Sequence, residues 1–285
     1  MSKLKIAVQK KGRLSEKSLE LLRESGIRIS NGTGRLKATA DNFPVELLFL
    51  RDDDIPQYVE QGVADIGILG ENEVLEKARN VELIERLGFA KCRMSLAIPK
   101  DQSYSGISDF QEKKIATSYP VILENFFKEQ GVEAEIEEIG GSVEISPGIG
   151  LADAVFDIVS TGSTLFMNGL REVETVLKSE AVLIANQDLD QDKKQILQKL
   201  LFRMRAVRRS AENKYILLNA PNESVKAISQ VLPGMKSPTV LPLKEEGWSS
   251  IHSVVNEGEF WEVIDQLKDL GSEGILVVPI QKMIL

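Results

Sequence analysis

The sequence predicts a mixed α/β fold followed by a smaller C-terminal domain. Through the first two thirds of the chain, short apolar segments alternate with amphipathic ones, the pattern of strands and helices in α/β proteins. In the last third the predicted order becomes βαββαβ, which is typical of a ferredoxin-like domain. The chain has 285 residues, of which 42% are hydrophobic. This is enough for about two domains with buried cores.

The first hundred residues predict strands alternating with helices. An apolar segment at 4–9 predicts a buried first strand, and Ser15 is the predicted N-cap of the helix that follows. Asp54 precedes Ile55-Pro56 and predicts another helix start, because proline is tolerated in a first turn. Further strands are predicted at 35–40, 45–50, 64–69 and 92–98.

A Ser-, Asp- and Gly-rich loop at 101–109 predicts a crossing into a second strand and helix series. In that series we expect strands at 114–117, 135–139, 154–159, 173–177 and 181–184, and helices at 120–130 and 191–209. In the last third we expect strands at 214–219, 239–243, 250–255 and 274–278, and helices at 224–232 and 259–270.

Composition excludes several classes of function. The chain has 35 basic and 43 acidic residues, a net charge of −8, which disfavours nucleic acid as a partner. No apolar run is long enough to span a membrane, so no membrane partner is expected. One cysteine (Cys92) and one histidine (His252) exclude an intrachain disulfide and a multi-ligand zinc site. We expect a cytoplasmic location, and any metal to be a hard cation such as Mg²⁺.

The clearest chemical signal lies where the predicted strand 154–159 ends. It is followed by a run of small and hydroxyl residues, Ser160, Thr161, Gly162, Ser163 and Thr164. Such a run lets backbone N–H groups and hydroxyls converge on an anion, so we predict a site for a phosphate monoester. Asp157 lies just upstream and is placed to bind ribose hydroxyls, with Asp153 as a second candidate. The alternative is a hydroxyl-rich helix cap without a ligand.

This loop resembles the phosphoribosyl diphosphate loop of phosphoribosyltransferases, although Phe156 stands where those enzymes commonly carry a second acid. Other blocks resemble the long form of the ATP phosphoribosyltransferase family. These blocks are 9–14 (QKKGRL), 51–56 (RDDDIP), 65–72 (DIGILGEN), 92–97 (CRMSLA), 116–120 (ATSYP), 140–144 (GGSVE) and 168–173 (NGLREV). Together they cover nearly the whole chain.

The resemblance implies a two-lobed catalytic core like that of periplasmic binding proteins. It places residues 1–100 and 180–210 in a discontinuous first lobe, 101–179 in a second, and 211–285 in a regulatory domain. It also implies that N1 of ATP displaces pyrophosphate from phosphoribosyl diphosphate, the first step of histidine biosynthesis, with Mg²⁺ as cofactor. The rival interpretation is a two-lobed ligand-binding or regulatory protein without catalysis.

Candidate residues follow from that reaction, which must hold two polyanions together and stabilise charge. The catalytic candidates are Lys11, Arg13, Arg51 and Asp157. The candidates for phosphoribosyl diphosphate are Asp153, Asp157, Ser160, Thr161, Gly162, Ser163 and Thr164. The nucleotide candidates are Lys11, Arg13, Gly70, Glu71, Asn72 and Tyr119. Glu144 is a further candidate for ligand hydroxyls. For Lys11 and Arg13 the alternative is a solvated loop charge, and for Tyr119 a half-buried core tyrosine.

The C-terminal domain carries the implied regulation. The resemblance implies that free histidine binds there as a feedback inhibitor and shifts a homo-oligomer between dimer and hexamer. The candidates for that site are Asn219, Met235, Ser237, Thr239, Val254 and Gly274. We expect His252 to be structural or at an interface.

Overall fold

The structure is a computed structural model that describes residues 2–30 and 36–285. The chain forms two units, the first comprising Met1–Glu20 and Ile27–Ile196, the second Leu21–Gly26 and Leu197–Leu285. Within the described residues three sheets carry the fold, two in the first unit and one in the second. The predicted α/β class is confirmed.

A six-stranded sheet forms the first lobe of the first unit. Its elements are β1 (Leu4–Gln9), α1 (Arg13–Glu24), β2 (Lys37–Thr39), β3 (Val45–Leu50), α2 (Ile55–Glu60), β4 (Ile66–Gly70), α3 (Glu71–Lys77), β5 (Glu82–Arg86) and a returning strand, β11 (Ala181–Ala185). The strand order is β2-β3-β1-β4-β11-β5. Strands β1, β3 and β4 run parallel, so their carboxyl ends share one edge of the sheet.

Three local predictions in this lobe are corrected. Helix α1 begins at Arg13, before the predicted cap, and Ser15 is buried within its first turn. Asp54 precedes α2 as predicted, but its side chain makes no capping hydrogen bond. Strand β5 was not predicted, because only two apolar residues, Leu83 and Ile84, lie between its charged ones. Arg35, in the predicted strand 35–40, lies outside the described residues.

A five-stranded sheet forms the second lobe. Its elements are β6 (Cys92–Pro99), β7 (Lys114–Thr117), α4 (Pro120–Gln130), β8 (Glu135–Glu138), β9 (Ala154–Val159), α5 (Ser163–Met167) and β10 (Leu170–Ser179), in the order β10-β6-β9-β7-β8. The chain therefore enters this sheet at Cys92, earlier than the predicted boundary near residue 100. Met94 and Leu96 show why, since they pack with Phe156 in the core of the second lobe.

The second unit holds an antiparallel sheet in the order β13-β14-β12-β15. Its elements are β12 (Asn213–Pro221), α7 (Val225–Val231), β13 (Thr239–Pro242), β14 (Trp248–Asn256), α8 (Glu257–Asp269) and β15 (Glu273–Pro279), preceded by a long helix, α6 (Gln191–Ala211). Ile216, Ile251 and Phe260 belong to the core between the sheet and its two helices. This arrangement is the predicted ferredoxin-like order.

Among the described residues, no helix is both long and apolar enough to cross a membrane.

Candidate active site

The predicted site residues cluster where parallel strands end. In the first lobe, β1, β3 and β4 lead into the segments that carry Lys11, Arg51 and Gly70. In the second lobe, β7 and β9 are parallel neighbours and lead into Tyr119 and Ser160. Ligands of open α/β sheets bind at such carboxyl edges.

The hydroxyl loop, residues 160–164, is anchored at both ends and open between. Val159 and Leu165 are buried, whereas the hydroxyl residues between them are exposed. The Oγ1 of Thr161 lies 3.0 Å from the Oγ of Ser163. Gly162 has a φ of +79°, a left-handed conformation that favours glycine. The hydroxyls therefore remain available to a ligand.

Asp157 is half-buried on β9, opposite Ser95 of β6. Its Oδ1 accepts a hydrogen bond of 2.7 Å from the backbone N–H of Ile158. Burial raises the pKa of the Asp157 carboxyl, and the nearby charge of Glu144 raises this pKa further. Glu144, a predicted residue, lies in a short helical turn, Val143–Ile145, and its effect on this pKa places its charge near Asp157.

Asp153 is not part of this cluster, which corrects its predicted role. It precedes β9 and therefore lies at the opposite end of the strand from the hydroxyl loop. At about 3.3 Å per residue, roughly 20 Å separates it from Ser160. Its Oδ2 accepts a hydrogen bond of 2.9 Å from the backbone N–H of Lys114. Sequence spacing placed the two aspartates together, but the extended strand keeps them apart.

Tyr119 links the two lobes through an acidic residue that the sequence analysis missed. Its hydroxyl donates a hydrogen bond of 3.0 Å to Oε1 of Glu73 on α3. Burial, followed by the charge of Glu73, raises the pKa of Tyr119 above its ordinary range. Asp157 of the second lobe and Asp52 of the first also contribute to this increase. Carboxylates from both carboxyl edges therefore lie around one tyrosine.

The predicted basic residues differ in how they are held. Lys11 and Arg13 are exposed, and neither side chain has a hydrogen bond or ion pair within residues 2–30 and 36–285. The Arg51 guanidinium instead pairs with Asp53 through bonds of 3.1 and 3.2 Å. Lys11 and Arg13 are thus the cations most open to a polyphosphate.

The predicted nucleotide block at 70–72 is already paired within the first unit. Glu71 is buried and forms a bidentate ion pair with Arg86. The Oδ1 of Asn72 accepts a hydrogen bond of 2.9 Å from the Ser179 hydroxyl. At Gly70, a Cβ would lie only 2.4 Å from the Asn72 Oδ1. The structure therefore does not offer the Glu71 and Asn72 side chains to a ligand.

No group of three His, Cys, Asp or Glu side chains in the described part of the chain converges to hold a metal ion. Asp52 accepts a hydrogen bond of 3.0 Å from Gln9, and Asp53 pairs with Arg51. The residues present therefore do not fit a resident Mg²⁺ site made from protein carboxylates.

The structure spreads the predicted regulatory residues over the sheet of the second unit, with Thr239 on the edge strand β13 and Gly274 on the opposite edge strand β15. Thr239 pairs with His252 in the β13–β14 ladder, and Asn219 pairs with Ser250 in the β12–β14 ladder. A Cβ on Gly274 would lie 3.6 Å from the Asn219 amide nitrogen. The remaining candidates are Val254 on β14 and the exposed loop residues Met235 and Ser237.

His252 makes two hydrogen bonds on the same sheet. Its Nδ1 lies 2.8 Å from the Tyr215 hydroxyl and its Nε2 lies 3.1 Å from the Ser250 hydroxyl. Both ring nitrogens therefore already have partners in this unit.

Comparison with known proteins gives the same assignment over the whole chain. The ATP phosphoribosyltransferase family model matches residues 51–206, and the model for the C-terminal domain of that family (HisG, C-terminal domain) matches residues 211–282. The chain belongs to the ATP phosphoribosyltransferase family. An ATP phosphoribosyltransferase of Bacteroides thetaiotaomicron is 61% identical over 99% of this chain and 100% of that relative. The corresponding protein of Cytophaga hutchinsonii is 54% identical over 99% of this chain and 98% of that relative.

Solved structures agree with the family assignment. An ATP phosphoribosyl transferase (HisG:HisZ) complex from Thermotoga maritima superimposes with a TM-score of 0.60 and 29% identity, over 71% of this chain and 98% of that one. The substrate-binding protein of an amino acid ABC transporter has a TM-score of 0.50 at 11% identity, over 73% of this chain and 94% of that one. The second likeness concerns the fold alone, and it confirms the predicted fold type. Family membership supports the enzymatic interpretation over the rival of a binding protein without catalysis.

Proposed function

We propose that this chain transfers the phosphoribosyl group of phosphoribosyl diphosphate to N1 of ATP and releases pyrophosphate, the first step of histidine biosynthesis. The observation that carries the proposal is the open hydroxyl loop beside Asp157, in a chain that matches the family over nearly its full length. The relatives are named for this activity, and every catalytic group proposed below lies in the first unit.

Each group has a part in the proposed reaction. The hydroxyl loop binds the 5′-phosphate through side-chain hydroxyls and backbone N–H groups. The Asp157 carboxylate accepts hydrogen bonds from the ribose hydroxyls and stabilises the positive charge that develops on the ribose ring. Lys11 and Arg13 neutralise polyphosphate charge, and Arg51 does so after exchanging Asp53 for a phosphate. Tyr119, at the seam between the lobes, contacts the nucleotide.

We propose that Mg²⁺ accompanies the diphosphate through phosphate oxygens, since the described carboxylates do not form a cage for it. We further propose that free histidine inhibits the enzyme through the second unit and shifts a homo-oligomer between dimer and hexamer. Asn219 and Gly274 are close neighbours on the adjacent strands β12 and β15, which supports a small-ligand site at that part of the second unit. A chain with a single cysteine fits the cytoplasm, where this reaction is proposed to occur.

The test is a product assay with the purified full-length protein. The protein is incubated with ATP, phosphoribosyl diphosphate, Mg²⁺ and pyrophosphatase, and the products are read by mass spectrometry with and without millimolar histidine. Phosphoribosyl-ATP that is suppressed by histidine is the expected result. Product that histidine does not change would overturn the regulatory part alone. A folded protein that binds ATP and forms no product would overturn the catalytic part.

A further inference from the structure

One arginine, on strand β6 of the second lobe, contacts the hydroxyl loop from outside it. Arg93 lies on β6, opposite Val159, the last residue of β9 before the loop. Its Nη1 donates a hydrogen bond of 3.2 Å to the backbone carbonyl of Ser160. Ser160 is the first residue of the hydroxyl loop, so this bond holds the loop where it leaves the sheet.

The Arg93 guanidinium is itself held in one orientation. Its Nε and Nη2 donate to the two carboxylate oxygens of Glu172 on β10, a bidentate pair with both distances at 2.5 Å. The same carboxylate accepts hydrogen bonds from the hydroxyls of Ser95 at 2.7 Å and Thr175 at 3.3 Å. A planar guanidinium in such a fork has little rotational freedom, so the N–H groups of its Nη1 point in set directions.

The strand register places this group beside the proposed ribose site. Ser95 pairs directly with Asp157, and Arg93 lies two residues away on the same strand. Alternate residues share a face of a sheet, so Arg93, Ser95 and Asp157 lie on one face. The β6–β10 register shifts between Glu172 and Glu174, an irregularity next to the residue that holds Arg93.

We propose that Arg93, fixed by Glu172, is a positioning residue that sets the conformation of the 5′-phosphate loop and thereby the affinity for phosphoribosyl diphosphate. The proposal rests on the function proposed above. Arg93 acts through the Ser160 carbonyl and not by contact with the substrate. Glu172 acts one step further back, because it keeps the guanidinium aimed at that carbonyl. The hydrogen bonds from Arg93, and to a smaller extent its charge, lower the pKa of the Glu172 carboxyl, so the pair remains ionised near neutral pH.

Steady-state kinetics test the proposal with Arg93→Gln, Arg93→Lys and Glu172→Gln. We expect the KM for phosphoribosyl diphosphate to rise about tenfold in Arg93→Gln and Glu172→Gln, since one charge-assisted hydrogen bond to the loop is lost. The KM for ATP and kcat should stay within about threefold. Arg93→Lys keeps the charge but cannot form the bidentate pair with Glu172. Its KM for phosphoribosyl diphosphate should lie between those of wild type and Arg93→Gln. An unchanged KM for phosphoribosyl diphosphate in both Gln variants would overturn the proposal.

Arg171→Gln is the matched control. Arg171 adjoins Glu172 on β10 and also donates to a backbone carbonyl, that of Gln102 at 2.8 Å. It holds a loop remote from the phosphate site, so its removal should leave the KM for phosphoribosyl diphosphate unchanged. If this KM rose equally in Arg171→Gln and Arg93→Gln, the cause would be a general loss of structure, and the specific role of Arg93 would be overturned.

Hydrogen exchange gives a readout that does not depend on activity. Arg93→Gln should accelerate backbone amide exchange in peptides covering 158–165 and leave those covering 100–106 unchanged, and Arg171→Gln should do the reverse. Unchanged exchange at 158–165 in a folded Arg93→Gln protein would overturn the proposal. If the wild-type protein forms no product while Arg93→Gln still loosens 158–165, the proposed function fails and the positioning role of Arg93 stands.

Discussion

Helix α3 and the hydroxyl loop are both rich in polar residues, yet they use them in opposite ways. The buried carboxylates of α3 all have partners inside the protein: Glu71 pairs with Arg86, Glu73 with Tyr119, and Glu76 with backbone N–H groups of α4. The loop hydroxyls are exposed, and the 3.0 Å hydrogen bond between Thr161 and Ser163 stays within the loop. The comparison teaches that polarity alone does not mark a binding site. A polar group indicates a binding site more clearly when the fold leaves its hydrogen-bonding capacity unused.

Glu76 shows most clearly what the α3 carboxylates do. Its two oxygens accept hydrogen bonds of 3.1 Å from the backbone N–H groups of Val121 and Ile122, in the first turn of α4. A carboxylate from the first lobe therefore caps a helix of the second lobe, where free N–H groups and the helix dipole favour negative charge. This joins the lobes at the seam beside Tyr119.

The largest effect is expected on catalysis, at Asp157 beside the exposed hydroxyl loop. Asp157→Asn should lower kcat/KM about 100-fold, because the charge that binds the ribose hydroxyls and stabilises the transition state is lost. The melting temperature should change little. Asp153→Asn, at the other end of the same strand, is the matched control and should keep kcat/KM within about threefold. Equal losses in both variants would contradict the assignment of Asp157.

The next effect is expected on the stability of the protein, at Glu76 of helix α3. Glu76→Ala should cost about 1–2 kcal/mol in the free energy of unfolding, as expected when a helix loses its cap. Chemical denaturation measures it, and Glu129→Ala, an exposed residue on α4, is the control. If Glu76→Ala left stability intact but abolished activity, α3 would belong to the binding surface. The contrast between its paired carboxylates and the exposed hydroxyls of the loop would then be wrong.

The smallest effect is a pH dependence at Glu73. Burial raises the pKa of the Glu73 carboxyl. The hydrogen bond from Tyr119 lowers this pKa, but its effect is smaller than that of burial. A raised pKa in the folded state means that folding favours the protonated acid. The contribution to stability is thus present at low pH, below the ordinary value of 4.5, and is lost as the pH rises through the folded pKa. Glu73→Gln removes this dependence.

We therefore expect the melting temperature of Glu73→Gln relative to wild type to be higher at pH 7 than at pH 4. Thermal denaturation at the two pH values measures the difference. Glu124→Gln, an exposed residue of α4, should show no comparable trend. A difference that is the same at both pH values would mean that Glu73 does not titrate as its burial implies.

Features of this protein that depend on local pattern could be predicted from the amino-acid sequence. Apolar periodicity placed most strands and helices, and the order of the last third predicted the third sheet. The small and hydroxyl residues after β9 marked the candidate phosphate loop, and Gly162 has the conformation that such a turn requires. These features are encoded within a few residues of one another, so a short window of sequence is enough to find them.

The pairing of polar groups and the order of the strands depend on the folded chain and could not be predicted from local sequence. Arg93 and Glu172 are 79 residues apart, and Tyr119 and Glu73 are 46 apart, so nothing local in the sequence joins them. The chain separation of Asp153 from the loop is short, yet an extended strand places it at the wrong edge of the sheet. Pairing across a fold depends on sheet order and register, which are set by the packing of the whole core.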